Sequence, residues 1–390
     1  MTQFVDIIVG ARPNFIKVAA LVSEFQQRIN QGSKLGYRLI HTSQHYDHQM
    51  SSIFFEELHM PLPDVNLQTG NVDSSRQIAT IMARYSGVLE VQRPDMVIVS
   101  GDVNSTVACA LATKKTDVTI PLVHIEAGLR SRDRKMPEEV NRVITDSISD
   151  YFFTTSRSAS NNLIEENVDP SRIYFVGNTM IDTLKRNQPF FRKPEIWDEL
   201  GLQPRQYIVM TLHRQANISD AATLRSLLEA VSASAADLPV IFPLHPHTAK
   251  MMKQFNITAT GIYCTEPLGY LEFNYLVQHS RAVVTDSGGI SEETTMMNVP
   301  CMTLRQNTER PETCTIGTNL LLGNSHHRIA SAFQRLFEGK WPTGQQPELW
   351  DGHAAGRIVD HIGRILEQGQ KKTPETVWGS VQQKELLKMI

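Results

Sequence analysis

Along this chain, short apolar runs alternate with stretches whose apolar residues recur every three or four positions. FVDIIV (4–9), YRLIHT (37–42), DMVIVS (95–100), IPLVHI (120–125), YFFTT (151–155) and IYFVG (173–177) predict six strands. Helical periodicity marks stretches between them, such as 14–29, 74–91 and 138–148. After residue 205 the rhythm restarts. YIVMTL (207–212), PVIFPL (239–244), GIYC (261–264), RAVVTD (281–286), CMTL (301–304) and NLLLG (319–323) predict six more strands. Nearly continuous apolar strands alternating with helices imply parallel sheets covered on both faces. The predicted fold is therefore α/β, with two doubly wound, Rossmann-like domains. The divide is expected within 183–205, where KRNQPFFRKPEIWDELGLQP mixes polar and apolar residues around three prolines.

In such sheets ligands gather beyond the carboxyl ends of the strands. The segments there are polar and small: GARPNFIK after the first strand, GDVNST after the third and EAGLR after the fourth. In the second half they are HR, HPHT and SGGISEE. Two such ends face to face would make a cleft between domains.

Bulk properties narrow the function. A chain of 390 residues is too long for one ordinary core and suits two. With 41% hydrophobic and 20% charged residues it has the composition of a soluble globular protein. A net charge of −3 argues against nucleic acid or a membrane surface as the main partner. No apolar run is long enough to span a bilayer, and MTQFVDIIVG reads as a buried strand rather than a signal. Cys109, Cys264, Cys301 and Cys314 form no CxxC and read as buried free thiols in a reducing cytoplasm. His245 and His247 make an HxH without a third ligand at a convincing spacing, so no metal is expected.

Several motifs carry candidate chemistry. In TDSGGISEE (285–293), Gly288 and Gly289 let backbone approach a ligand, and the helix that follows offers unpaired N–H groups to an anion. Ser287 could add a hydroxyl, and Glu293 a carboxylate for a sugar diol. A plain strand-to-helix turn would also need the glycines. In GARPNFIK, Arg12 fits diphosphate recognition at a helix start, whereas Lys17 could equally lie along its helix. Asp102 in GDVNST reads either as a helix N-cap or as a catalytic carboxylate. His213 ends a strand, where it could act as an acid or a phosphate partner.

The segment VHIEAGLRSRDRKMPEEVNRV (123–143) is dense in charge. Pro137, Glu138 and Glu139 start a helix whose expected apolar face is Val140, Val143, Ile144 and Ile148, with Glu138 and Arg142 an i,i+4 pair. Glu126 follows a buried strand directly. Asp102, Glu126 and Glu138 could converge, each raising the others' pKa to yield an acid and a base.

GARPNFIK, QHYDHQM, GDVNST, HIEAGLRS, PEEVNR, VGNTMID, TLHR, PLHP, TDSGGISEE and TERPE, in that order, resemble the motifs of the bacterial non-hydrolysing UDP-N-acetylglucosamine 2-epimerases. The resemblance runs from the first strand to DGHAAGRI (351–358). It implies the GT-B fold, with an N-terminal domain over 1–182, a UDP-binding domain over 183–352, and a helix and tail over 353–390 that return to the first domain. It implies Asp102, Glu126, Glu138 and His213 at the reacting sugar, with Arg142 beside them. It also implies Arg12, Ser287, Gly288 and Gly289 at the diphosphate, Glu293 at the ribose and Phe273 at the uracil. Lys17 and Arg310, the latter in TERPE, match further basic positions. The implied reaction is reversible C2 epimerisation of UDP-GlcNAc to UDP-ManNAc without a cofactor, by elimination of UDP and readdition, feeding surface polysaccharide synthesis. A cytoplasmic homodimer is the expected setting. Asn14, where an acidic residue is common, and QHYDHQM (44–50) look more like relatives acting on UDP-2,3-diacetamido glucuronic acid sugars. A GT-B glycosyltransferase is the remaining alternative.

Overall fold

A computed structural model of the chain describes residues 3–44, 54–70 and 73–370, apart from the side chains of Arg12 and Gln370. QHYDHQM lies, after Gln44, outside the described residues. The chain divides into two compact units. One is built from the chain up to Arg186 and again from Glu348 onward, the other from Asn187–Pro347.

The first unit holds a seven-stranded sheet. Its strands are β1 (Gln3–Val9), β2 (Leu35–His41), β3 (Val65–Asn66), β4 (Met96–Ser100), β5 (Leu122–Ile125), β6 (Tyr151–Thr154) and β7 (Ile173–Phe175). They run in the order β3-β2-β1-β4-β5-β6-β7, every pair parallel. The two-residue β3 was not expected, because two residues carry no readable alternation. Ile8, Ile40, Val97, Val99 and Leu122 from the strands pack with Ile81, Tyr85 and Val88 of helix Ser74–Val91 and with Ala108 and Cys109 of helix Asn104–Lys114. Burial of such side chains, at about 1.5–3 kcal/mol each, is what holds the sheet to its helices.

The chain's return to this unit is anchored by specific bonds. Trp350 is fully buried and its indole N–H donates to Thr155 O at 3.0 Å. Asp182 accepts from the backbone N–H of Ala355 at 2.7 Å, satisfying a donor at the start of helix Ala354–Gln370. That helix packs on Arg12–Asn30, where Arg28 pairs with Asp360 at 2.5 Å.

The second unit holds β8 (Ile208–Thr211), β9 (Val240–Pro243), β10 (Ile262–Thr265), β11 (Ala282–Thr285), β12 (Cys301–Thr303) and β13 (Asn319–Leu321). The order is β10-β9-β8-β11-β12-β13, again all parallel. Both sheets therefore reverse direction of growth once, between β1 and β4 in the first and between β8 and β11 in the second. These switch points are where open α/β sheets receive ligands. The fold expected from the strand rhythm is the one found. Two thiols depart from expectation: Cys264 is exposed, because its strand β10 is an edge, and Cys314 is only partly buried. Among the described residues no helix is long and apolar enough to cross a membrane.

Candidate active site

At the first switch point the chain concentrates buried charge. Lys17, on helix Arg12–Asn30, forms an ion pair with Glu126, and each is only 4% exposed. Glu126 follows β5 with φ +69°, a left-handed conformation that is strained for a residue with a side chain. Its N–H and that of Ala127 both donate to Phe153 O, at 3.0 and 3.1 Å. Glu126 thus leaves the sheet edge sharply and turns back onto Lys17.

Asp102 stands one residue beyond Gly101, at the end of β4. It does not cap the next helix: the N-cap of Asn104–Lys114 is Val103, with no side-chain cap bond. The Asp102 carboxylate accepts instead from Arg142, and its backbone oxygen accepts from Asn141 at 3.0 Å. Arg142 also grips Glu139, so the i,i+3 neighbour joins Asp102 at its guanidinium. Glu139 is itself spent on the loop before it, accepting from Ser131 N–H at 3.0 Å and Arg132 N–H at 2.9 Å. The helix Pro137–Ile148 accordingly buries Glu139, Arg142 and Asp146, while Ile144 is exposed. This corrects the apolar face expected for it. The stripe toward the protein carries ion pairs to the neighbouring turns, while the same helix packs on Asn104–Lys114 and sets Ile148 against the core. Glu138 is half-exposed in the first turn of the same helix, and Lys135 before it is exposed.

Arg12 begins its helix, but its side chain is outside what the structure describes. Asn14 is buried and donates to Ser100 O at 2.8 Å, a bond an ionised acid could not make.

At the second switch point, Thr211 and Thr285 at the ends of β8 and β11 share a hydrogen bond of 2.6 Å. Just beyond them lies Asp286, fully buried. It accepts from His213 Nδ1 at 2.8 Å, from the N–H groups of His213 and Arg214, and from Asn217 Nδ2 at 3.0 Å. Burial alone would push its carboxyl up. The His213 charge and these hydrogen bonds outweigh burial and hold it at about 2. Asp286 is thus an anion at neutral pH that orients His213, whose side chain is 41% exposed. The remaining ring nitrogen, Nε2, is the one left to meet a ligand.

The helix Gly288–Met296 starts at Ser287, whose hydroxyl makes no cap bond. Its first N–H groups therefore receive no bond from that hydroxyl. A Cβ on Gly288 would fall 2.6 Å from both Arg310 Nη1 and Glu309 Oε1. Arg310 lies buried beneath this turn, 2.8 Å from Glu292 and paired with Glu309, which Arg305 also holds. On the next turn Glu293 is buried and accepts from the Tyr270 hydroxyl at 2.9 Å. Burial raises its carboxyl to about 7, against smaller lowering from Tyr270 and Asn274. Phe273 is half-buried against the cluster around Trp197 and Tyr207. The histidines of HPHT serve a helix: His245 caps Pro246–Gln254, accepting from His247 N–H at 3.3 Å.

Residues 27–363 match the family model described as UDP-N-acetylglucosamine 2-epimerase. The chain belongs to this family. It is 36% identical over 376 residues to a UDP-N-acetylglucosamine 2-epimerase of Methanocaldococcus jannaschii, covering 94% of this chain and 99% of that one. It is also 36% identical over 362 residues to the UDP-2,3-diacetamido-2,3-dideoxy-D-glucuronate 2-epimerase of Pseudomonas aeruginosa, covering 92% and 99%. The crystal structure of the M. jannaschii UDP-GlcNAc 2-epimerase in complex with UDP-GlcNAc and UDP superposes with a TM-score of 0.84, over 93% of this chain and all of that one. The chain is an enzyme of the UDP-sugar 2-epimerase class with the GT-B fold.

Within this epimerase, three site residues escaped sequence reading. Glu139 was hidden because a carboxylate in the first turn is ordinary helix chemistry. Asp286 precedes the glycines that drew attention, and His124 looked like one more residue of a buried strand. A titratable residue inside an apolar run, or just past it, was the available signal in both cases. The packing under Gly288 gives a direct expectation. Gly288→Ala should lower stability by about 1–3 kcal/mol, the usual cost of forced overpacking, read as a lower Tm in thermal denaturation. An unchanged Tm would show that the Arg310 side chain yields freely.

Proposed function

We propose that this epimerase interconverts UDP-GlcNAc and UDP-ManNAc by eliminating UDP and adding it back. The observation that carries the reading is the pair of carboxylates, buried Glu126 and partly buried Asp102, at the same switch point and each held by a cation. The C2 proton of the sugar is not acidic while C1 is saturated. As the C1–O bond breaks, its electron pair leaves with UDP and positive charge develops at C1. A carboxylate then takes the C2 proton, leaving a 2-acetamidoglucal with a C1=C2 double bond. Readdition of UDP to C1, with a proton delivered to the other face of C2, inverts that centre. Asp102, Glu126 and Glu138 are the acid–base set, and Arg142 aims Asp102. His213, oriented by Asp286, and the helix start at Ser287, Gly288 and Gly289 stabilise the departing diphosphate, with Arg12. Glu293 takes the ribose and Phe273 the uracil side. Lys17 holds Glu126, and Arg310 supports the diphosphate loop from beneath.

A second reading, epimerisation of UDP-2,3-diacetamido glucuronate, is favoured by the Pseudomonas relative and by Asn14. The test offers each UDP-sugar to the enzyme and follows the anomeric and H2 proton signals by NMR. We expect the UDP-GlcNAc signals to give way to a UDP-ManNAc mixture that is reached from either side. Conversion of the diacetamido glucuronate alone would move the assignment to the second reading.

A further inference from the structure

Both ring nitrogens of His124 face acceptors. Nδ1 lies 2.6 Å from Asp146 Oδ1, and Nε2 lies 2.8 Å from the carbonyl oxygen of Gly101. A carbonyl oxygen can only accept. Asp146 is likewise an acceptor: its other oxygen takes the Gly128 N–H at 3.0 Å and Arg130 at 2.7 Å, as a carboxylate does. Each contact therefore calls for an N–H on the ring, which then carries two protons and a positive charge. The side chain is fully buried.

What this buried cation joins is specific. Gly101 has φ +67°, and its N–H donates to Ile125 O at 3.0 Å. A Cβ there would fall 2.5 Å from Lys17 Nζ and 3.2 Å from Glu126 Oε2. The turn is thus fixed against Glu126 on one side, and the residue that follows it is Asp102. Asp146 reaches the other way. It accepts from Gly128 N–H at 3.0 Å and from Arg130 at 2.7 Å, both in the loop that begins with Glu126. Arg130 is balanced in turn by Glu166 at 2.6 Å. The imidazole therefore bridges the turn that carries Asp102 and the loop that carries Glu126.

We propose that His124, as an imidazolium bridging Asp146 and the Gly101 carbonyl, is a positioning residue that sets Asp102 and Glu126 in register for epimerisation. This rests on the proposed function, which puts those carboxylates at the sugar. A residue needed only for packing would not require a donor at both nitrogens.

Two side chains can each keep one of the donors. Gln at 124 presents its amide N–H near the Nε2 position, and Asn near the Nδ1 position. The experiment compares kcat, KM and Tm for His124→Gln and His124→Asn, and records ¹⁵N NMR of the histidine-labelled parent at neutral pH. His124→Gln keeps the Gly101 bond and should retain kcat within about 3-fold. His124→Asn loses that bond, so kcat should fall about 10- to 100-fold with KM moved by less than about 3-fold, the scale of a misaimed catalytic group. Both ring nitrogens of the parent should show attached protons. Equal kcat in the two variants overturns the proposal, and so does a ring nitrogen without a proton, which also decides the matter if neither variant folds. A parent enzyme that converts neither UDP-sugar would sink the proposed function instead, while the NMR result still reports on His124.

Discussion

Replacing Asp102, Glu126 or Glu138 with its amide is expected to lower kcat by at least about 10²-fold, the usual loss when a general acid or base is removed. Lys135→Ala, at an exposed position, should leave kcat close to the parent and act mainly on KM. The three carboxylates are not equivalent in stability. Glu126 and Asp102 face buried cations, Lys17 and Arg142, so their amides also weaken ion pairs and should lower Tm. Glu138 is half-exposed in the first turn of its helix, where a carboxylate contributes at most about 1 kcal/mol through the helix dipole. It is the discriminating member of the set. With kcat and Tm measured on the same preparations, Glu138→Gln should be nearly as stable as the parent and yet slow. A Glu138→Gln enzyme with full turnover would return that residue to helix-start chemistry alone.

Glu293→Gln is expected to make the free enzyme more stable and its UDP complex weaker. Burial raises the Glu293 carboxyl from 4.5 to about 7 in the folded protein. Between those values the folded state holds a proton that the unfolded state has lost. This group's contribution to stability is therefore full below about pH 4.5 and is lost as pH rises through about 7. The gap corresponds to roughly 3 kcal/mol above neutral pH. The amide cannot ionise and escapes that cost. Denaturant titrations should show Glu293→Gln more stable than the parent at pH 8, by up to about 3 kcal/mol, and equal to it near pH 4.5. In calorimetry the variant should bind UDP more weakly by about 1–3 kcal/mol, the value of a hydrogen bond to a charged acceptor. Parent affinity should climb as pH rises through 7, because the ionised carboxylate is the stronger acceptor for a ribose diol, and the variant should lack that climb. Equal UDP affinity in the two proteins would remove Glu293 from the ribose.

Apart from the two-residue β3, the strands were legible because each is a short apolar run closed by glycine or a polar residue, and the ends of those runs gave the switch points. Partners were less legible. Arg142 has carboxylates three and four residues before it, and the i,i+4 spacing pointed to Glu138. In the fold Arg142 grips Glu139, whose oxygens also hold Ser131 and Arg132. Asp102 looked as much like a cap as a catalytic group until Val103 took the cap position. The apolar face expected for Pro137–Ile148 failed for a tertiary reason. Besides helix Asn104–Lys114 it meets Asp102, the Glu126 loop and His124, so a charged stripe packs alongside Ile148. The dense charge in 123–143 is thus chiefly internal wiring between two strand ends, with only Arg132, Arg134 and Lys135 left exposed.

The central claim is that C2 is deprotonated and reprotonated while UDP is off C1. Incubating the enzyme with UDP-GlcNAc in D₂O and analysing the recovered UDP-sugars by mass spectrometry and NMR tests it most directly. The account predicts deuterium at C2 in both epimers, with the UDP-sugar pool conserved. Epimer formed without deuterium, or UDP accumulating in step with free sugar, would contradict it.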